Sequence, residues 1–326
     1  MKKRGVIYGF LSGITWALDT VLIGKILTAA IFVSTKQAIL LAPLVSTFLH
    51  DAASSFWVSG YFSLKGELKR TLAKVKTKSG MFVMLAALLG GPLGMTFYVL
   101  AIKYLGSSYA AAFSSVYPAV GAFFAFLFLK DRLLPKNWFG LLMSIIFIIL
   151  LGYSSDNLTS PNFLLGMLFI VLCIISWGLE SVVVAYGMKD GEITPEQSLL
   201  LRQFVSAFVY GLVILPVFNG WSLTIEVLTN REFLFLALVA LAGSLSYLFY
   251  YISIRDIGPT RAMGLNISYS AWAIFLGFLL FGEPLSLQLL FYSFMIIFGS
   301  VLSVAEENEF TLSYFRNKLP DPKEGE

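Results

Sequence analysis

The chain has 326 residues, is 58% hydrophobic and only 13% charged, and has a mean hydropathy of +0.82. A soluble globular protein carries roughly 25% charged residues, so a water-exposed fold is excluded, and the apolar runs that recur along the chain define a polytopic membrane protein. The net charge of +4 is no nucleic-acid signature; one cysteine (Cys173) excludes an internal disulfide, and one histidine (His50) excludes a His-Glu-x-x-His zinc site.

Span one is predicted over about 6–28. The Met1-Lys2-Lys3-Arg4 start resembles a signal peptide, but the run is long enough to cross and contains Asp19, so a retained helix is expected. Span two ends near Phe62 and begins between Thr35 and Pro43. Spans three to five cover about 80–103, 108–129 and 137–153. Spans six to ten cover about 163–187, 197–218, 232–254, 260–281 and 286–305. A polar tail from Glu306 to Glu326, with Pro320-Asp321-Pro322, reads as disordered. The expected fold is thus all-α, with ten transmembrane helices. It divides into a first unit at 5–153, a second at 162–305 and a tail at 306–326.

Basic residues cluster after span two (Lys65, Lys69, Arg70, Lys74, Lys76, Lys78), after span four (Lys130, Arg132, Lys136) and after span eight (Arg255, Arg261). The positive-inside rule then puts both termini in the cytoplasm of a cell membrane. Lys36, Lys103 and Arg231 are the exceptions. The Asn157-Leu158-Thr159 sequon falls in an outside loop.

The two halves repeat one another. Trp16-Ala17-Leu18-Asp19 in span one is matched by Trp177-Gly178-Leu179-Glu180 in span six. Ala101-Ile102-Lys103-Tyr104-Leu105-Gly106 parallels Ser253-Ile254-Arg255-Asp256-Ile257-Gly258. Tyr117 matches Tyr269, Asp131 matches Glu283, and His50-Asp51 falls opposite Arg202-Gln203. Five spans per half is an odd number, so the second half is inverted in the membrane. A five-plus-five inverted repeat is a transporter architecture with a midplane site between its halves.

The ordered set Gly13-Ile14-Thr15-Trp16, Ala101 to Ala110, Tyr117-Pro118-Ala119-Val120, Phe128-Leu129-Lys130-Asp131-Arg132-Leu133 and Phe281-Gly282-Glu283-Pro284-Leu285 resembles the drug/metabolite transporter superfamily in its EamA-type ten-helix branch. Asp131 stands where that family usually carries glutamate. The resemblance covers about residues 6–305 and implies alternating-access transport of a small organic solute. It implies no cofactor, no metal and no catalysis. The lipid bilayer and a small-molecule substrate are the partners it implies; a second copy of the chain is a further candidate, and nucleic acid is not one.

A carboxylate in hydrocarbon is costly, and its default reading is functional. Trp16, Asp19 and Thr20 share one helix face, as do Trp177, Glu180 and Ser181. The inverted repeat brings these two faces to opposite sides of one cavity. Indole rings beside carboxylates suit an organic cation; the acids can also exchange a proton in each cycle. The plainer reading is a structural ion pair, with Lys25, Lys36 or Arg202 as counter-ion. Tyr117 and Tyr269 are candidates to line the pathway, and Phe113 and Trp272 to complete an aromatic box; lipid-facing or packing surface is the plainer reading of each aromatic. His50 and Asp51 are candidates for coupling or gating, or for a pair that holds a helix end. Adjacent residues do not share a helix face, so the two are not expected to relay to one another. Bacterial choline permeases look similar around His50-Asp51 and Trp16, which favours a quaternary amine such as choline; export of amino acids or other metabolites is the alternative. Gly90-Gly91-Pro92-Leu93-Gly94 in span three and Gly243-Ser244-Leu245-Ser246 in span eight read either as matching interruptions or, more plainly, as small residues for close helix packing.

Overall fold

The computed structural model describes residues 2–105, 110, 113–114, 116–131, 133–152, 163–282, 286–303 and 305. The sequon at Asn157, Glu283 of the Phe281 motif and the tail from Glu306 lie outside the described residues. Among the described residues the fold is all-helical, with no strand.

Ten rods follow in order. They are α1 (Lys2–Ile26), α2 (Lys36–Leu64) and α3, which runs from Lys78–Leu88 through a π-helical turn at Leu89–Met95 into Thr96–Leu105. Next come α4 (Tyr117–Leu129), α5 (Pro135–Gly152) and α6 (Phe163–Met188). The seventh rod, α7, is Pro195–Val209 extended by a π turn at Tyr210–Ile214 and by Leu215–Val217. The last three are α8 (Arg231–Ile257), α9 (Pro259–Asn266 followed by Tyr269–Phe281) and α10 (Leu287–Leu302). Seven of these rods are long and apolar enough to cross a membrane; α4, α5 and α10 supply shorter apolar stretches. Large apolar side chains such as Phe126, Leu212 and Leu279 stand exposed, as a lipid-facing surface requires.

Local signals set the helix ends. Thr35 accepts from the Ala38 amide at 3.0 Å to start α2, Thr77 accepts from Gly80 at 3.1 Å to start α3, and Thr194 and Gln197 form a reciprocal capping box on α7. Lys130 and Gly282, at equivalent places in the repeat, end α4 and α9 in left-handed geometry at φ 56° and 67°. Of the two readings of Gly243-Ser244-Leu245-Ser246, the interruption does not occur and the close packing does, for Arg231–Ile257 is continuous helix. Gly243 serves close approach instead, and Ser244 Oγ bonds back to the Ala240 carbonyl at 2.7 Å, four residues earlier. The second interruption lies in α7.

Helix contacts follow the repeat. The first rod packs on α8 and α9, and α6 packs on α3 and α4; α2 meets α7 and α8, α7 also meets α3, and α5 pairs with α10. Exchanging the halves leaves this pattern unchanged. The crossings are close at matching glycines. A Cβ on Gly5 would stand 2.6 Å from Ile257, and one on Gly166 would stand 2.6 Å from Leu105.

Candidate functional site

A cavity of about 370 Å³ lies between the halves. Ten of the sequence-predicted site residues line it: Trp16, Asp19, Thr20, His50, Asp51, Tyr117, Trp177, Glu180, Ser181 and Tyr269. It runs along α1 past Ile23 and Gly24 to Leu27, along α2 to Pro43 and along α3 to Val99, toward the membrane face at which α1 ends. The other face is packed shut. There Tyr8 meets Phe249 at 5.3 Å, and Arg4 pairs with the buried Asp256 at 3.6 Å. The second-half counterparts of Ile23, Leu27, Ser46 and Thr47 are Val184, Met188, Ser198 and Leu199, and all four are buried.

Five charged side chains form a continuous chain across the cavity wall. Asp19 Oδ1 lies 3.1 Å from His50 Nε2, and His50 Nδ1 lies 3.2 Å from Asp51 Oδ1. Arg202 Nη1 reaches Asp51 Oδ1 at 3.5 Å, and Arg202 Nε donates to Glu180 Oε1 at 3.4 Å. Signs alternate along the chain. Arg202 is further held by Gln203 Oε1 at 2.7 Å and by the Tyr247 hydroxyl, with its guanidinium 3.7 Å from that ring's centroid. Ser206 Oγ donates to Asp51 Oδ2 at 2.6 Å. A neutral imidazole would turn an acceptor nitrogen toward one of the two carboxylates; only the imidazolium, with two N–H donors, satisfies both. In that state three carboxylates face two cations, and the wall carries one net negative charge.

Two sets of expectations about this region are corrected, on the His50-Asp51 pair and on the aromatic box, and the counter-ion candidates are narrowed to Arg202. His50 and Asp51 are not a helix-end pair, since they lie mid-way along α2 and are buried. They do contact one another, because the imidazole ring is long enough to turn back to the adjacent carboxylate. Of the three counter-ions considered, Arg202 pairs with Glu180, whereas Lys25 lies over the Phe281 ring at 5.5 Å and Lys36 is exposed at the start of α2. Phe113 and Trp272 are not in the cavity wall. Phe113 packs against the main core and Trp272 against Phe275 at 6.1 Å.

Aromatic rings surround each tryptophan. Trp16 meets Tyr247 at 5.4 Å and Tyr269 at 5.7 Å; Trp177 meets Tyr98 at 5.2 Å and Tyr117 at 5.9 Å. Sequence reasoning missed Tyr98, Tyr247, Tyr250 and Asn266, all of which line the cavity. Tyr98 and Tyr250 stand at matching repeat positions, the signal that singled out Tyr117 and Tyr269. Tyr117 donates to Asn266 Oδ1 at 3.3 Å, and Asn266 Nδ2 to Ser12 Oγ at 3.1 Å, tying α4 and α1 to α9 below the cavity.

Glycines let each half approach the other's charges. A side chain on Gly243 of α8 would collide with His50 and Asp19, and one on Gly90 of α3 with the Glu180 carboxylate. The π turn of α3 is met by side chains of the second half. Trp177 Nε1 donates to the Gly90 carbonyl at 3.1 Å, and the Tyr210 hydroxyl to that of Gly91 at 3.4 Å. Such widened turns recur at functional sites.

An all-helical membrane bundle whose two inverted halves enclose an aromatic-lined cavity with buried charged groups is the form of a solute transporter. The model of the EamA-like transporter family matches residues 3–153 and 164–305, and the chain belongs to that family. It is 29% identical over 306 residues to Protein LicB of Haemophilus influenzae, a match that covers 94% of this chain and 99% of LicB. It is 26% identical over 171 residues to the adenosine 3'-phospho 5'-phosphosulfate transporter 2 of Drosophila melanogaster, covering 51% of this chain and 43% of that protein. A solved crystal structure with 15% sequence identity shares the fold at a TM-score of 0.67, covering 93% of this chain and 98% of the other.

Proposed function

We infer that the chain is a secondary transporter for a small organic cation, with a quaternary amine such as choline as the substrate class, working by alternating access and coupled to protons. The carrying observation is the cavity itself: lined by three acids against one arginine and one histidine, walled by tryptophan and tyrosine, and running toward one membrane face. Ring faces attract a cation that offers no hydrogen-bond donor, and the acidic wall supplies the charge. A phosphorylated nucleotide of the kind named for the Drosophila relative would meet three carboxylates, with the single arginine of the wall already bridged to two of them. That argues against an anionic substrate.

Closure at the face where α1 begins, where the counterparts of Ile23, Leu27 and Thr47 are buried, is one half of an alternating cycle; rocking of one repeat against the other supplies the second half. Coupling rests on the same charges. Loss of one proton from the chain of five makes the wall doubly negative, so a proton and a substrate cation compensate for each other. Placed by its basic loops, the chain has both termini in the cytoplasm of the cell membrane.

Thermal-shift screening of purified protein against choline, betaines and amino acids tests the substrate class. Stabilisation by choline over neutral and zwitterionic solutes is expected, and stabilisation by amino acids alone refutes the assignment. Asp19→Asn or Glu180→Gln should abolish proton-gradient-driven uptake in liposomes while the protein still folds. Full activity in both variants would remove the coupling role.

A further inference from the structure

The two Trp-x-x-acid copies are equivalent in sequence and unequal in structure. Trp177 has its indole N–H committed to the Gly90 carbonyl at 3.1 Å, and Gly94 of the same turn comes so close that a Cβ there would stand 2.6 Å from the indole. Its acid, Glu180, is bridged to Arg202 and seated on Gly90. Trp16 differs at the indole. Among the described residues its indole N–H donates to nothing. Its acid, Asp19, is bonded through Oδ1 to His50 and, among the described residues, makes no hydrogen bond through Oδ2. The Asp19 side chain is 14% exposed to the cavity and that of Glu180 8%.

We propose that the first copy, Trp16 and Asp19 with Tyr269, holds the substrate cation, and that Trp177 is a positioning residue that fixes the π turn of α3 through its indole N–H. The proposal deepens the organic-cation reading and rests on it. A ring pinned by its N–H and packed on a glycine backbone cannot reorient toward a ligand. A free carboxylate oxygen one helical turn from an unpinned indole supplies both the charge and the face that a quaternary ammonium needs. The π turn is a break in α3 between the cavity and the rest of that rod, so holding it governs how the rod moves, not how the cation is gripped.

The test compares matched substitutions in the full-length protein, with choline, tetramethylammonium and the neutral choline isostere 3,3-dimethylbutanol as probes. Binding is measured by calorimetry and transport in liposomes at saturating choline. Trp16→Phe should weaken choline binding about fivefold or more, since phenylalanine is the poorer cation–π partner. Trp177→Phe, which keeps a ring and loses the N–H, should leave the Kd within about twofold while changing maximal transport severalfold. Replacing Trp177 by benzothienylalanine, an indole isostere with sulfur in place of N–H, should repeat the Trp177→Phe result and covers the case where phenylalanine misfolds. Equal loss of affinity in the two Phe variants, or an isostere that transports at the wild-type rate, overturns the division of roles. Wild-type protein that binds neither cation, or binds the neutral isostere equally well, overturns the organic-cation reading itself.

Discussion

Replacing Gly243 by alanine tests whether the charged chain depends on close approach of α8. A Cβ at this position would stand 2.6 Å from His50 Cε1 and 3.0 Å from Asp19 Oδ1, where ordinary contact begins at 3.4 Å. The imidazole must therefore retreat by at least roughly 0.8 Å, because α8 is continuous helix and cannot yield locally. From its present 3.1 Å, the His50–Asp19 contact then leaves hydrogen-bonding range. Loss of a buried charge-assisted bond costs about 1.5–3 kcal/mol. Stability is read from SDS unfolding in mixed micelles, in wild-type and His50→Ala backgrounds. In the His50→Ala background the collision with the imidazole is gone and only the 3.0 Å approach to Asp19 Oδ1 remains, so Gly243→Ala should cost less. The expected coupling energy is about 2 kcal/mol, within the range for residues in contact. Equal cost in both backgrounds would show that Gly243 does not seat the His50–Asp19 pair.

Three further outcomes follow from the same geometry. Arg202→Lys replaces a planar group that meets Glu180, Asp51, Gln203 and Tyr247 at once with a single ammonium; leaving a buried carboxylate unpaired costs about 3–5 kcal/mol, visible as a lower unfolding midpoint in detergent. Gly90→Ala should displace the Glu180 carboxylate and block transport, with Gly90→Ser no better, and a transport assay in liposomes checks it. Asp256→Asn removes the partner of Arg4 and Arg255 at the closed face. A Tyr8→Cys reporter there should then react about fivefold faster with an impermeant maleimide, a change of up to about 1 kcal/mol; buried Cys173 gives no background.

The repeat made much of this architecture legible. Trp16 and Trp177 pointed to the two cavity walls because tryptophan and an acid one turn apart, twice, has no use against lipid. Arg202 was visible only as a possible counter-ion, since sequence offset says which residues correspond and not which ones touch. Between a break and close packing at Gly243-Ser244, close packing holds, because serine can bond within the helix and glycine can serve a neighbour's side chain instead of a kink. The π turn at Tyr210–Ile214 carries no glycine-rich run and left no signal. Tyr247 and Asn266 were hidden for a compositional reason. In a chain with 16% aromatic residues, one more tyrosine on a helix reads as packing until its neighbours are known.

The way the charged chain is divided between the halves bears on how the protein is made. Asp19, His50 and Asp51 emerge first, in α1 and α2, while Arg202, Ser206 and Gly243 are still to be translated. Until α7 and α8 insert, Asp51 lacks its arginine and its serine, and the pair at Asp19 lacks the surface it seats on. A nascent first half therefore holds carboxylates that the membrane penalises and that only later synthesis can relieve. The second half acts as the assembly partner of the first, and an interrupted chain presents the bilayer with a defect that quality-control proteases can recognise.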